Sequence, residues 1–149
     1  GCHFALGHHE ECASVSRQAL PRIEREVALR PDNQDALMFG ATTIGYLGDM
    51  KRAKEWAMRA LAIQSGDDLR GNYNLACTFA QLGEPEQALD QLEKYAERMP
   101  PQRLAWIKRD FDLAPLRNHP RYKALVARAE PRYSAFLAEK GARAKRDLS

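Results

Sequence analysis

Histidine and cysteine side chains are concentrated at the start of the sequence, where they could bind a transition metal. The five residues are Cys2, His3, His8, His9 and Cys12. His8 and Cys12 stand one helical turn apart, and imidazole and thiolate groups are ligands that zinc and related metals favour. However, Gly7 is expected to break a helix beside them, and the spacing corresponds to no zinc module. We therefore assign no metal site here and interpret the cluster as exposed histidines and buried or edge cysteines.

The other reactive groups lack the partners that catalysis needs. Cys77 lies on an expected helix, and no base accompanies it, so we interpret it as a small packing residue at or near a concave face. Two acidic pairs, Asp67 with Asp68 and Asp110 with Asp112, stand where helices should begin. Carboxylates at such positions accept hydrogen bonds from free backbone N–H groups. Phosphate-binding glycine loops and nucleophile elbows are also absent from the sequence, so we predict neither an enzyme nor a cofactor.

The elements that position these residues repeat along the chain. Gly48 and Ala53 recur 35 residues later as Gly83 and Ala88. A period near 34 residues, with small side chains where two helices cross, is typical of tetratricopeptide (TPR) repeats. Such repeats are binding scaffolds, and their stability comes from stacking each helix pair on its neighbours.

Capping and turn residues mark the helix boundaries. The predicted helices cover about 10–30, 33–47, 49–63, 68–82 and 85–99. Asp32 or Asn33 should cap the second helix, and Gly48 should end it in a left-handed conformation. Pro21 interrupts the first helix, so that the helix either kinks there or begins anew with Pro21 in its first turn. Ala19, Ile23, Val27 and Leu29 are expected to face inward from it.

The repeat pattern fails after residue 106. Trp106 occupies the slot where the pattern prefers tryptophan, but residues 110–112 replace the small packing residue. Asp112 is expected to cap a short turn, and Pro120 to open a final helix. Tyr122, Leu125 and Val126 repeat on this helix at helical spacing, and they should cover the apolar face that a terminal repeat would otherwise expose.

The predicted fold is all-α: a TPR-like right-handed superhelix of antiparallel helix pairs with a C-terminal capping helix. We divide this single domain into a partial N-terminal unit at 1–31, two TPR units at 33–66 and 68–100, a truncated unit with the capping helix at 101–139, and a frayed basic tail at 140–149.

Residues 73–77, 82–84, 88–89 and 110–122 resemble the C-terminal TPR region of bacterial signalling proteins. In that group the region is joined to a class III adenylate or guanylate cyclase domain, a winged-helix DNA-binding domain or a protein kinase domain. None of those catalytic or DNA-binding domains is present in this sequence. The resemblance therefore implies a regulatory or assembly segment whose chemistry lies elsewhere in a larger bacterial protein.

Charge and composition restrict the partner. Residues 1–97 contain 10 basic and 15 acidic side chains, whereas residues 98–149 contain 13 and 5. The basic side chains are spread over several expected helices and accompany no nucleic-acid motif, so solvated helix faces are favoured over a nucleic-acid interface. No apolar run approaches the roughly 20 residues of a membrane span. Three cysteines do not suggest a disulfide framework, and we predict a cytoplasmic protein.

The inner face of the array offers the candidate binding site, because the first helices of TPR units line the inside of the superhelix. The predicted groove residues are Asp35, Met38, Thr42, Tyr46, Arg70, Tyr73, Cys77 and Gln81. We expect a protein or peptide partner, or another domain of the parent chain. Two alternatives stay open: the tyrosines merely pack between helices, or the array forms a homodimer through an apolar face at its N-terminal end.

Overall fold

A computed structural model describes residues 9–147, and this part of the chain is helical without a strand. Its elements are α1 (His9–Leu29), α2 (Gln34–Tyr46), α3 (Met50–Ile63), α4 (Leu69–Gln81), α5 (Pro85–Arg98), α6 (Arg103–Arg109), a 3₁₀ segment (Phe111–Leu116) and α7 (Pro120–Asp147). None of these helices is long and apolar enough to cross a membrane. Cys2, His3 and His8 of the predicted metal-ligand cluster lie outside the described residues.

Short polar side chains begin the helices as the sequence predicts. Asn33, Asp49 and Asp68 each accept a hydrogen bond from the backbone N–H three residues later, at 3.0–3.2 Å. Each bond satisfies one of the N–H groups that a helix leaves free in its first turn. α2 with α3 and α4 with α5 lie within the two ranges that the sequence assigns to TPR units.

Two glycines form equivalent turns between the helices of each pair. Gly48 has a φ of +89° and Gly83 a φ of +73°. An added Cβ would meet no atom within 4 Å at either position, so the backbone angle, and not crowding, requires glycine there. These are the left-handed helix ends that the repeat spacing predicts.

Small residues allow the paired helices to approach closely. Ala53 and Ala88 are fully buried where α3 meets α2 and α5 meets α4. Large apolar side chains such as Leu37, Leu75 and Phe79 fill the space between the pairs. One continuous core therefore extends from α1 to α7.

α1 differs in part from its prediction. It is continuous across Pro21, and Val27 is buried as expected, but Leu29 is 73% exposed. Two residues along an α-helix correspond to a rotation of about 200°, so Val27 and Leu29 cannot both face the core. The expectation that Leu29 faces inward is therefore wrong.

The C-terminal helix covers the end of the stack. Tyr122 and Leu125 are buried against α5 and α6, and the Tyr122 hydroxyl donates a 3.1 Å hydrogen bond to the Ile107 carbonyl. Trp106, by contrast, is 55% exposed. α7 continues to Asp147, so the residues from 140 that the sequence assigns to a basic tail extend this helix.

An ionic cluster joins α7 to α5. The Arg121 guanidinium contacts the carboxylates of Glu86, Asp90 and Glu93 at 2.6, 2.7 and 2.9 Å. The hydrogen bond from Arg121 lowers the pKa of Glu93, and the three acids raise the pKa of Arg121 above its already high value. The three acids lie on one face of α5, so one guanidinium at the start of α7 contacts all of them.

Candidate peptide-binding groove

Two pairs of predicted groove residues connect α2 to α4. Arg70 contacts the Asp35 carboxylate at 3.1 Å near the start of the helices, and the Tyr46 hydroxyl donates a 3.0 Å hydrogen bond to the Gln81 side-chain oxygen near their ends. Both pairs join residues 35 positions apart, which is the repeat period. The inner face is therefore braced at both ends of these helices.

Tyr73 is held by the chain itself. Its hydroxyl donates a hydrogen bond to the Asp110 carboxylate, and its ring lies 4.9 Å from the Tyr95 ring. Burial, and then the bond to Asp110, raises the pKa of Tyr73 far above its ordinary value. Tyr73 is partly buried, and these contacts hold its ring and hydroxyl within the stack.

Cys77 and Met38 are buried as well. The 3₁₀ segment packs on α4, the helix that carries Cys77. Burial, followed by the charges of Asp110 and Asp112, raises the pKa of the Cys77 thiol well above its ordinary value. A neutral, buried thiol is a poor nucleophile.

Three of the predicted residues border an open cleft of about 450 Å³ between α2, α4 and the 3₁₀ segment, whereas Asp35 and Arg70 are not among its lining residues. We call it the inner cleft. Its lining residues are Thr42, Gly45, Tyr46, Met50, Gln81, Leu82, Phe111, Asp112, Ala114 and Pro115. Thr42, Tyr46 and Gln81 belong to the set predicted from the sequence.

Met50, Phe111 and Asp112 contribute to the inner cleft but are absent from the predicted set. Met50 is 38% and Phe111 56% exposed, so both present apolar surface to solvent. The break in the repeat at residues 110–112 is the one signal in the sequence that could have indicated Phe111 and Asp112. Met50 has no such signal, because its position depends on how the turn at Gly48 directs α3.

Asp110 caps a helix start as expected of this acidic pair, whereas the expectation that Asp112 is the cap is wrong. Asp110, and not Asp112, caps the 3₁₀ segment, since one oxygen of its carboxylate accepts the Asp112 backbone N–H at 3.0 Å. Its other oxygen accepts the Tyr73 hydroxyl. Asp112 lies half-buried at the inner cleft, where burial and then the charge of Asp110 raise its pKa. Within residues 9–147, no side chain donates a hydrogen bond to the Asp112 carboxylate.

The one group of potential metal ligands within the described residues is Cys77, Asp110 and Asp112, whose ligand atoms lie within 4.8 Å of one another. Both oxygens of Asp110 are already hydrogen-bonded, and the raised pKa of Cys77 disfavours the thiolate that a metal requires. Asp112 would then be the single remaining ligand of the group, and one carboxylate does not hold a metal ion. We assign no metal to this group.

Residues 69–100 match the family model described as tetratricopeptide repeat. The match spans α4, the Gly83 turn and α5, and no curated protein or solved structure matches the chain significantly. TPR repeats generally mediate protein–protein interaction and are typically non-enzymatic. α2 and α3 repeat the order of α4 and α5: the first helix of each pair has a side-chain cap, at Asn33 and Asp68, and each pair turns at a glycine with positive φ. The chain is therefore an all-α, TPR-like helical repeat, in which residues 69–100 match the tetratricopeptide repeat model.

Proposed function

We propose that this chain is a non-catalytic protein-interaction scaffold, with TPR units at 33–66 and 68–100, and that the inner cleft binds a segment of another protein or of another domain. The observation that carries this proposal is the cleft itself. It is a cavity of about 450 Å³ on the inner face, bordered by three of the predicted residues and by the exposed side chains of Met50 and Phe111.

The chemistry of the cleft suits recognition of a peptide. An aromatic ring and a flexible thioether provide large apolar contact area, and both are common at protein-binding surfaces. The hydrogen bond between Tyr46 and Gln81 holds one wall in place. A wall that is already ordered loses less conformational entropy on binding than a mobile one.

The chemistry of the described residues does not favour catalysis at this site. Cys77 is buried with a raised pKa, and Asp110 is engaged by Tyr73 and by its own cap. Asp112 lies beside both groups, but a buried neutral thiol and an already hydrogen-bonded carboxylate supply neither an activated nucleophile nor an available second acid. A binding role agrees with the non-enzymatic character of TPR repeats.

We further propose that the chain regulates or assembles a larger bacterial signalling protein of the cyclase or transcriptional-regulator type, in the cytoplasm. The support for this context is the resemblance of residues 73–77 and 110–122 to such proteins. The bound segment would then come from another domain of the parent chain or from its signalling partner.

Two methionines on α3 allow a matched test. A random-peptide display library is selected on the intact chain, and the enriched peptides are measured against Met50→Ala and Met58→Ala. Met58 is 48% exposed but lies on a different surface of α3. We expect Met50→Ala to weaken binding at least about fivefold, since truncation of a central contact costs more than about 1 kcal/mol, and Met58→Ala to leave it unchanged. Equal affinities, or no enriched peptide, would contradict the proposal.

Self-association is a second candidate, because α1 and α2 carry large exposed apolar side chains. Val15, Leu29 and Phe39 are each more than three-fifths exposed. A homodimer could cover some of this surface. Sedimentation velocity over a hundredfold range of concentration should then show a dimer that Phe39→Ser weakens, whereas a monomer at every concentration would exclude this candidate.

A further inference from the structure

We propose that the C-terminal end of the stack carries a second interaction site, which binds an Asp or Glu side chain of a protein partner. The site is an open pocket of about 370 Å³ between α6 and the first turns of α7, and we call it the cap pocket. Its lining residues are Lys108, Arg117, Tyr122, Lys123, Val126 and Ala127. The cap pocket shares no lining residue with the inner cleft, so the proposal goes beyond the function assigned to that cleft.

Arg117 brings a partly buried positive charge to the cap pocket. One Nη atom of its guanidinium donates a 3.1 Å hydrogen bond to the Asp110 backbone carbonyl. Its Nε is shielded from solvent and makes no hydrogen bond of normal geometry within the described residues. Arg117 also lies near Tyr122, because burial raises the pKa of that hydroxyl and the Arg117 charge acts against the rise. A carbonyl and a hydroxyl are both neutral, so neither compensates the charge of this partly desolvated guanidinium, which is unfavourable.

The two lysines of the lining leave an excess of positive charge. Lys108 contacts the Glu130 carboxylate at 2.6 Å, whereas Lys123 is exposed and pairs with no acid in the described part of the chain. Asp110 is a second acid whose charge acts here, and its carboxylate already accepts two hydrogen bonds. Three cations, counted with Arg117, thus face two acids, and one positive charge is left in excess.

One carboxylate is the anion that matches this excess. The N–H groups of a guanidinium form a planar fork that fits the two oxygens of a carboxylate, and Lys123 lines the same pocket. Val126 and Ala127 add apolar surface, against which the methylene groups of Asp or Glu can pack. A basic segment would be repelled, and a phosphate monoester carries about 1.5–2 negative charges at pH 7, which is more than the excess. The charge of the pocket and the shape of its donors therefore favour an acidic side chain.

The test begins with peptides from a random display library that bind the intact protein and lose affinity on Lys123→Gln. We expect these peptides to share an Asp or Glu position. Replacing that acid by its amide removes the charge and keeps the shape of the side chain, and it should weaken binding to the parent protein about tenfold. On Arg117→Gln the same replacement should change the affinity less than about threefold, because the partner of the carboxylate is gone.

Lys140→Gln is the matched control, because Lys140 is another exposed lysine of α7 and lies outside the cap pocket. It should bind the same peptides as the parent protein does, with the same preference for the acid over the amide. If Arg117→Gln did not fold, the amide comparison on the parent protein would still decide, because a loss of less than about threefold there would overturn the inference. A phosphoserine that binds more than about tenfold tighter than the acid at the same position would also overturn it, since the pocket would then select phosphate.

The cap pocket and the inner cleft can be tested separately. The acidic peptides should bind Met50→Ala as tightly as the parent protein, because Met50 belongs to the lining of the inner cleft and not to that of the cap pocket. Acidic peptides that require Met50 would overturn the cap pocket as their site and leave the proposed function intact. An acidic preference that is equal on the parent protein and on Arg117→Gln would overturn the role of Arg117. If no peptide depends on Lys123, the inference is also overturned, whatever the outcome for the inner cleft.

Discussion

Replacing Gly40 by alanine tests the packing of α2 against α3. A Cβ added at Gly40 would lie 2.3 Å from two carbons of the Trp56 ring and 3.2 Å from a methyl group of Ile23. Trp56 is buried, and the guanidinium groups of Arg52 and Arg59 lie 5.3 and 5.8 Å from its ring centroid. The rigid ring therefore has little freedom to move away.

The expected loss in the free energy of unfolding of Gly40→Ala follows from two opposing contributions. Alanine is favoured over glycine within a helix by roughly 0.8–1.0 kcal/mol. The contact of 2.3 Å is more than 1 Å shorter than the optimal carbon separation of about 3.5–4.0 Å, so we place the overpacking cost at the upper end of the usual range, about 3 kcal/mol. The net loss is about 2 kcal/mol. For a chain of this length it corresponds to a fall in Tm of about 4–8 °C.

Gly141→Ala is the matched control, because Gly141 also lies within a helix and an added Cβ there would meet no atom within 4 Å. Thermal unfolding followed by circular dichroism should show a lower Tm for Gly40→Ala and an unchanged or higher Tm for Gly141→Ala. In a Trp56→Leu background the cost of Gly40→Ala should largely disappear, since the ring that causes it is absent. If both alanine variants melted at or above the Tm of the parent protein, the assigned register of α2 against α3 would be wrong.

Further predictions concern the crossing points, the ionic cluster and the cap. Ala88→Leu should lower the free energy of unfolding in urea by about 1–3 kcal/mol, because the buried crossing of α4 and α5 has no room for it; unchanged stability would show the wrong register. Arg121→Gln should cost about 1 kcal/mol at pH 7. Arg121 lowers the pKa of Glu93 in the folded state, so the stabilisation that this ion pair provides is complete above the pKa of Glu93 in the unfolded chain and is lost as the pH falls through its pKa in the folded protein. Urea titrations of the variant and the parent should therefore converge in acid. A stability difference that does not change with pH would contradict this. Deleting residues 119–149 should cause aggregation or abolish cooperative unfolding, whereas deleting 141–149 should have little effect, and equal melts for the two deletions would show that α7 is not a cap.

Local chemistry explains which parts of the fold could be predicted from the sequence. Asn33 and Asp68 cap helices through bonds that span three residues, and Gly48 and Gly83 end them through their own backbone angles. Such features depend on short stretches of chain. The period of 35 residues then relates the two helix pairs, because units with the same pattern of turn and packing residues stack on their neighbours in the same way.

Contacts between distant residues explain what could not be predicted. The sequence places Tyr73 on the inner face but does not reveal that Asp110, 37 residues later, accepts its hydrogen bond. At residues 110–116 the chain leaves the repeat pattern. This segment lies beside Cys77 and brings Phe111 and Asp112 to the inner cleft. Once the repeat pattern ends, the path of the chain depends on tertiary packing, and helical spacing no longer indicates it.

Methyl NMR of the methionines tests the central claim most directly, because the chain contains four of them in distinct environments. Met38 and Met99 are buried, Met50 lines the inner cleft, and Met58 lies on another surface of α3. The intact protein, labelled with ¹³C at the methionine methyl groups, is titrated with a peptide selected from the display library. We predict a saturable shift of the Met50 signal, with the Met58 signal unchanged. Saturable binding that shifts Met58 and leaves Met50 in place would contradict the assignment of the inner cleft as the binding site.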